Sequence, residues 1–251
     1  MNLELPKVIA HRGASAYAPE NTLASFKKAS EIGASWVEFD VKLTSDDQVI
    51  IFHDDTLDRT TDGEGLVVDH SLKAIQELDA GLWFANEFIQ ESVPTLVETI
   101  DVLSDLGLGA NVEIKPNPGQ EKKTSILTYQ LLENKWPKQL PPLLFSSFSR
   151  ESLLAIRALS DEAQLGLLLA DWPNDWIEFA QKLNCISIHV YREILTKEKA
   201  ECIKQNGFYL LAYTVDNPLC ANELFQWGVD SIFSNIPDLF VRSDVLTEEV
   251  I

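Results

Sequence analysis

Two carboxylates stand two residues apart in an apolar run, Trp36-Val37-Glu38-Phe39-Asp40-Val41, and a third stands in Asn111-Val112-Glu113-Ile114-Lys115. A strand alternates faces with period two, so Glu38 and Asp40 share one face and Val37, Phe39 and Val41 the other. By the same rule Glu113 and Lys115 share a face opposite Val112 and Ile114. Adjacent inward carboxylates are costly through repulsion and desolvation unless a cation joins them. Glu38, Asp40 and Glu113 offer three hard oxygen donors with no sulfur nearby. That set suits Mg2+ or Ca2+, completed by water and a substrate oxygen.

Two histidines complete the reactive set. His11-Arg12-Gly13 follows the short apolar run Val8-Ile9-Ala10, and His53 closes Gln48-Val49-Ile50-Ile51-Phe52-His53. Each histidine is expected to end a strand leading to one common rim, where a pair of imidazoles beside a metal suits a general base and a general acid. Three carboxylates and a divalent ion sum to about −1, and Arg12 with Lys115 bring the sum to about +1, a balance that fits a phosphodiester monoanion. The structural alternative pairs the acids with Arg12 and Lys115 alone; it leaves the two histidines without a purpose. Glu20 is placed to orient Arg12, with a solvated loop acid as the alternative. His189 alternates with Ile188 and Val190, so it can face inward near the rim, for substrate contact or a structural hydrogen bond. Phe148, Trp172 and Tyr213 are candidates for a substrate wall or for core packing. Trp83, Phe84 and Phe88 are expected to pack their segment onto the main body.

Positioning these groups calls for a regular scaffold. Apolar runs at 8–12, 36–42, 110–115, 143–148, 165–169, 185–190, 208–215 and 230–234 read as strands. Helical patterns at 22–33, 95–106, 120–135, 150–159, 174–183, 196–206 and 217–227 separate most of them. Thr95 with Glu98 has capping-box spacing, Pro19-Glu20-Asn21-Thr22 reads as a loop opening a helix, and Asn206-Gly207 and Trp227-Gly228 read as helix stops. Eight strands with intervening helices predict an α/β fold, a (β/α)8 TIM barrel. A doubly wound open sheet is the alternative, disfavoured because no GxGxxG follows the first strand. Residues 45–94 are too long for a βα loop. They are read as a small inserted subdomain at the catalytic end of one domain spanning residues 1–251.

The chain has 251 residues, 45% hydrophobic, and a formal net charge of −19, enough for one sizeable core and without the basic patch of a nucleic-acid binder. Cys185, Cys202 and Cys220 are widely spaced, which suits a reducing cytoplasm better than a disulfide framework. The N-terminal residues lack the pattern of a signal peptide, and no apolar run reaches the roughly 20 residues of a membrane span. A cytoplasmic protein without stable membrane insertion is expected; a homodimer stays open.

Taken together, His11-Arg12-Gly13, Pro19-Glu20-Asn21-Thr22, Glu38-x-Asp40, His53-Asp54 and Glu113-Ile114-Lys115 resemble the glycerophosphodiester phosphodiesterase family. Ser146-Ser147-Phe148, Tyr213-Thr214-Val215 and Ser234-Asn235 extend the likeness to about residue 240. Cys185-Ile186-Ser187-Ile188-His189 and Leu168-Leu169-Ala170-Asp171-Trp172 resemble its bacterial cytoplasmic branch. The resemblance implies a TIM barrel, metal ligands at Glu38, Asp40 and Glu113, acid–base roles for His11 and His53, and phosphate contacts from Arg12 and Lys115. Tyr213 departs from the tryptophan of many members, at the wall near the glycerol end. The implied activity is metal-dependent hydrolysis of small glycerophosphodiesters to sn-glycerol 3-phosphate and an alcohol. A lysophospholipase D-type phosphodiesterase and a non-catalytic phosphodiester-binding barrel are the alternatives.

Overall fold

The computed structural model describes residues 4–241; the expected domain limits at 1 and 251 lie outside the described residues. Nine strands among the described residues form one sheet: β1 (Val8–His11), β2 (Trp36–Leu43), β3 (Val49–Ile51), β4 (Gly109–Ile114), β5 (Leu144–Ser147), β6 (Gln164–Leu169), β7 (Ser187–Tyr191), β8 (Tyr209–Tyr213) and β9 (Ser231–Ser234). Eight of them are parallel and run in the order β1-β9-β8-β7-β6-β5-β4-β2, and the pairing of β1 with β2 closes the ring. The open-sheet alternative is thereby excluded. Seven helices follow the expected rhythm, α1 (Leu23–Glu31), α3 (Leu96–Leu106), α4 (Glu121–Lys135), α5 (Arg150–Leu159), α6 (Trp176–Lys182), α7 (Lys197–Gln205) and α8 (Pro218–Gln226); the short α2 (Leu72–Gln76) and α9 (Asp238–Val241) fall outside that expectation.

Local chemistry sets the helix ends. The Thr22 side chain accepts from Ser25 N at the start of α1, and Thr95 and Glu98 form the expected capping box on α3. Gly207 and Gly228 adopt positive φ just past α7 and α8, where a side chain would be strained.

The main core lies between the strands and the helices. Val37, Phe39 and Val41 of β2 point outward into it with Phe26 and Ala29 of α1, and the Phe26 and Phe39 rings lie 5.8 Å apart. A second apolar group inside the barrel, Ile9, Trp36, Leu144, Leu211 and Phe233, belongs to the opposite strand faces. Strands buried on both sides are typical of a closed parallel sheet.

The segment between β2 and α3 has a different geometry from the one expected. β3 pairs antiparallel to β2, Leu43 opposite Val49 and Val41 opposite Ile51. It therefore runs back down from the rim rather than up to it, and Phe52 N donates to Asp40 O. His53 reaches the site by descending along β2, so the expectation that both histidines end strands rising to one rim holds only for His11. The antiparallel pairing depends on a turn and on long-range hydrogen bonds that the alternation of β3 does not encode. Ile50, Phe52, Leu57, Val67, Ile75, Ala80 and Val93 form a separate small core under this segment. Trp83, Phe84 and Phe88 stack edge-on against one another. They lie outside the main core, with Trp83 41% exposed, contrary to the expected packing on the barrel.

Candidate active site

Strand register assembles the site. His11 lies opposite Glu38 across β1–β2, and Asp40 lies opposite Glu113 across β2–β4. One rung thus joins an imidazole to a carboxylate and the next joins two carboxylates. Suitable oxygens of Glu38, Asp40 and Glu113 lie within 4.8 Å of one another. The turn after β1 places Arg12 at φ 55° and Gly13 at φ 79°; a Cβ on Gly13 would stand 2.3 Å from Ser25 Oγ. This turn aims Arg12 back over the acids. Its backbone N donates to Glu38 Oε2 (2.9 Å), Nη1 to Glu20 Oε1 (2.7 Å), and Nε lies 3.5 Å from Asp40 Oδ2. Lys115 Nζ stands 3.3 Å from Glu113 Oε1 and 3.7 Å from Asp40 Oδ1. Asn21, also at positive φ, donates its amide to Asp40 Oδ2 (2.9 Å) and so restrains the carboxylate.

The charges are unevenly satisfied. Burial opposes ionisation of Asp40, but Arg12 first, then Lys115 and His53, hold it low at about 2. Burial followed by repulsion from Asp40 pushes Glu113 up to about 7 and Glu38 well above the carboxylate range. Glu38 Oε1 is buried without a hydrogen-bond partner. Two cations therefore neutralise one acid well and leave the other two wanting positive charge. An all-oxygen donor set with an orphaned carboxylate oxygen fits a hard divalent cation, which would relieve both penalties.

Each histidine is held by its Nδ1 atom. Asn235 Nδ2 donates to Asp216 Oδ2 (2.7 Å), so its amide oxygen must face His11. His11 Nδ1 then donates to Asn235 Oδ1 (2.8 Å), and Nε2, bearing the lone pair, lies 4.0 Å from Glu38. Burial first, and then Arg12, lower the His11 pKa to about 4. His53 Nδ1 bonds Asp54 Oδ1, and burial lowers this imidazole too.

A cavity of about 260 Å3 opens over these groups, and His11, Arg12, Glu38, His53, Glu113 and Lys115 all border it. Phe148 and Tyr213 face it, their rings in edge contact at 5.9 Å, and Tyr191 packs on Tyr213. Trp172 instead packs against Trp176 in the outer core. His189 is fully buried at the cavity floor, where its Nε2 bonds Ser187 Oγ (2.9 Å) and its Nδ1 has no partner. Glu20 does not line the cavity; it binds Arg12. The sequence reading missed Asn21 as a support of Asp40 and Asp216 as a support of Asn235, and it assigned nothing to Arg59. The only local signals were the Asn21 position in the helix-opening loop and a lone arginine six residues after His53.

Comparison with known proteins agrees with the geometry. A sequence model of the Glycerophosphoryl diester phosphodiesterase family matches residues 11–239. A glycerophosphodiester phosphodiesterase of Caldanaerobacter subterraneus subsp. tengcongensis is 36% identical over 94% of this chain and 96% of its own. One from Bacillus subtilis is 35% identical over 92% and 84%. An Oleispira antarctica phosphodiesterase, solved with its product sn-glycerol-3-phosphate, superposes with a TM-score of 0.91 at 42% identity, covering 94% of this chain and 95% of that one.

Proposed function

This chain belongs to the glycerophosphoryl diester phosphodiesterase family, whose members hydrolyse glycerophosphodiesters, and from that premise we propose a metal-dependent hydrolase of small substrates such as glycerophosphocholine and glycerophosphoethanolamine. The products are sn-glycerol 3-phosphate and the free alcohol. The observation that carries this reading is the convergence of Glu38, Glu113, two imidazoles, Arg12 and Lys115 on one cavity of about 260 Å3, with Asp40 clustered against the two glutamates.

Glu38, Asp40 and Glu113 would hold Mg2+ or Ca2+. When bound there, the ion would supply Lewis-acid polarisation of a phosphoryl oxygen. Arg12 and Lys115, both kept protonated by the acids around them, attract the phosphodiester and stabilise its equatorial oxygens. Glu20 restrains Arg12. His11 and His53, each fixed through Nδ1, present Nε2 to the cavity. One takes the proton of the attacking hydroxyl on its Nε2 lone pair; the other, entering the step as an imidazolium protonated on Nε2, gives that proton to the leaving alkoxide, so removing either costs about 10²–10⁴-fold in turnover. Phe148 and Tyr213 wall the bound substrate, and the buried His189 supports the floor. Residues 45–94 act as the insertion that delivers His53. Among the described residues no helix is long and apolar enough to cross a membrane. The free thiols of Cys185, Cys202 and Cys220 suit a reducing compartment, the cytoplasm.

The test measures glycerol 3-phosphate release from glycerophosphocholine, glycerophosphoethanolamine and lysophosphatidylcholine, with Mg2+, with Ca2+ and after chelation. Turnover of the first two that vanishes on chelation supports the reading. Activity surviving exhaustive chelation, or preference for the acylated substrate, overturns it. Glu38→Gln should also reduce the cation-induced rise in melting temperature, a readout independent of catalysis.

A further inference from the structure

Arg59 does not border the cavity, yet its guanidinium joins two of the groups that do. Nε and Nη2 donate to the Asp54 carboxylate at 2.6 and 2.9 Å, while Nη1 and Nη2 donate to the Glu20 carboxylate at 2.7 Å each. Beyond Asp54 lies His53 Nδ1, and beyond Glu20 lies Arg12 Nη1. We propose that Arg59 is a positioning residue: a clip that holds the acid–base imidazole of His53 and the phosphate-binding guanidinium of Arg12 in one mutual geometry. The inference rests on the roles proposed above for His53 and Arg12.

The geometry demands an arginine. Two carboxylates grip two edges of one planar fork, and an ammonium on a flexible stem can offer neither edge. The hydrogen bonds from Arg59 hold Asp54 ionised against its partial burial, and His53 adds to the effect. An ionised carboxylate only accepts, so Asp54 requires the proton on His53 Nδ1 and leaves Nε2 as the atom that exchanges a proton with the cavity. Arg59 sits on the segment that descends with His53, whereas Glu20 sits on the loop after β1. The clip therefore ties the inserted segment to the barrel at the site itself. Arg59 is 45% exposed, and solvent-facing pairs add little to stability. Its effect should accordingly appear in turnover rather than in folding.

The test uses the full chain with saturating cation. Arg59→Ala and Arg59→Lys should melt near the wild-type temperature and lose about 10- to 100-fold in kcat with KM changed little, as when an orienting partner of a functional imidazole is removed. Methylguanidine should restore part of the Arg59→Ala turnover. Asp54→Asn should lose as much, and the double variant no more than either single one. In 15N spectra, His53 should pass from one Nδ1–H tautomer to a mixture in Arg59→Ala. Wild-type kcat in Arg59→Ala, a loss confined to KM, or additive losses in the double variant would overturn the inference. His53→Gln separates the levels: if it is inactive while Arg59→Ala is fully active, only the clip fails; if His53→Gln keeps wild-type turnover, the acid–base reading and the clip fail together.

Discussion

Replacing His189 by Gln should flatten the acid limb of this protein's stability curve. His189 is fully buried, and desolvation alone lowers its pKa from 6.5 to about 3. In the folded chain the imidazole therefore stays neutral through the range where the unfolded chain takes up a proton. Below the unfolded value the unfolded state binds more protons, so stability is complete above pH 6.5 and falls as pH drops towards about 3. The slope is about 1.4 kcal/mol per pH unit, which over the whole interval approaches ~5 kcal/mol. Between about pH 8 and pH 5 the loss integrates to about 2 kcal/mol. At an m-value of about 2 kcal/mol/M this moves the urea midpoint by about 1 M. Gln keeps an amide that can bond Ser187 Oγ but cannot titrate. Urea unfolding of the wild type and His189→Gln across this range isolates the contribution, because His11 and the carboxylates titrate in both and cancel in the difference. The two stability curves should converge as the pH falls. Parallel curves would refute the claim that a neutral imidazole is buried in the barrel.

Three further outcomes follow from named contacts. A Cβ on Gly166 would meet His189 Nε2 at 2.5 Å and Ser187 Oγ at 2.8 Å, so Gly166→Ala should destabilise by about 1–3 kcal/mol in urea unfolding; an unchanged midpoint would contradict the packing. Asp216→Asn frees Asn235 to flip and releases the His11 tautomer, so kcat should fall about 10- to 100-fold while cation binding, read by calorimetry, stays at wild type; full turnover would contradict the tautomer argument. Arg157 donates to the carbonyls of Ser160, Asp161, Ala163, Leu183 and Asn184, pinning the end of α5 to the turns before β6 and β7. Arg157→Met should cost about 2 kcal/mol in thermal unfolding through carbonyls left unpaired, with turnover at permissive temperature unchanged.

Some of this protein was legible along the chain. Period-two alternation decides that Glu38 and Asp40 share a face, and equally that Val37, Phe39 and Val41 share the other, whatever the strand later packs against. The same holds for Glu113 with Lys115. The chemistry of those side chains, hard oxygen donors beside two imidazoles and two cations, is a property of residue type. Helix ends at Thr22, Thr95, Gly207 and Gly228 rest on hydrogen bonds spanning a few residues, so they too could be read locally. What the chain order does not contain is distance between segments. Register across β1–β2 and β2–β4 sets His11 against Glu38 and Asp40 against Glu113, and only that register makes three acids a cluster. The antiparallel return of β3 decides the direction from which His53 arrives. Asp216 carries no local pattern that marks it, and the loop position of Asn21 and the lone Arg59 do not say what either residue meets. Their roles arise because folding brings Glu20 to Arg59 from 39 residues away, Asn235 to His11 from 224 and Asp40 to Asn21 from 19. Periodicity fixes which way a side chain points; only closure of the barrel fixes what it meets.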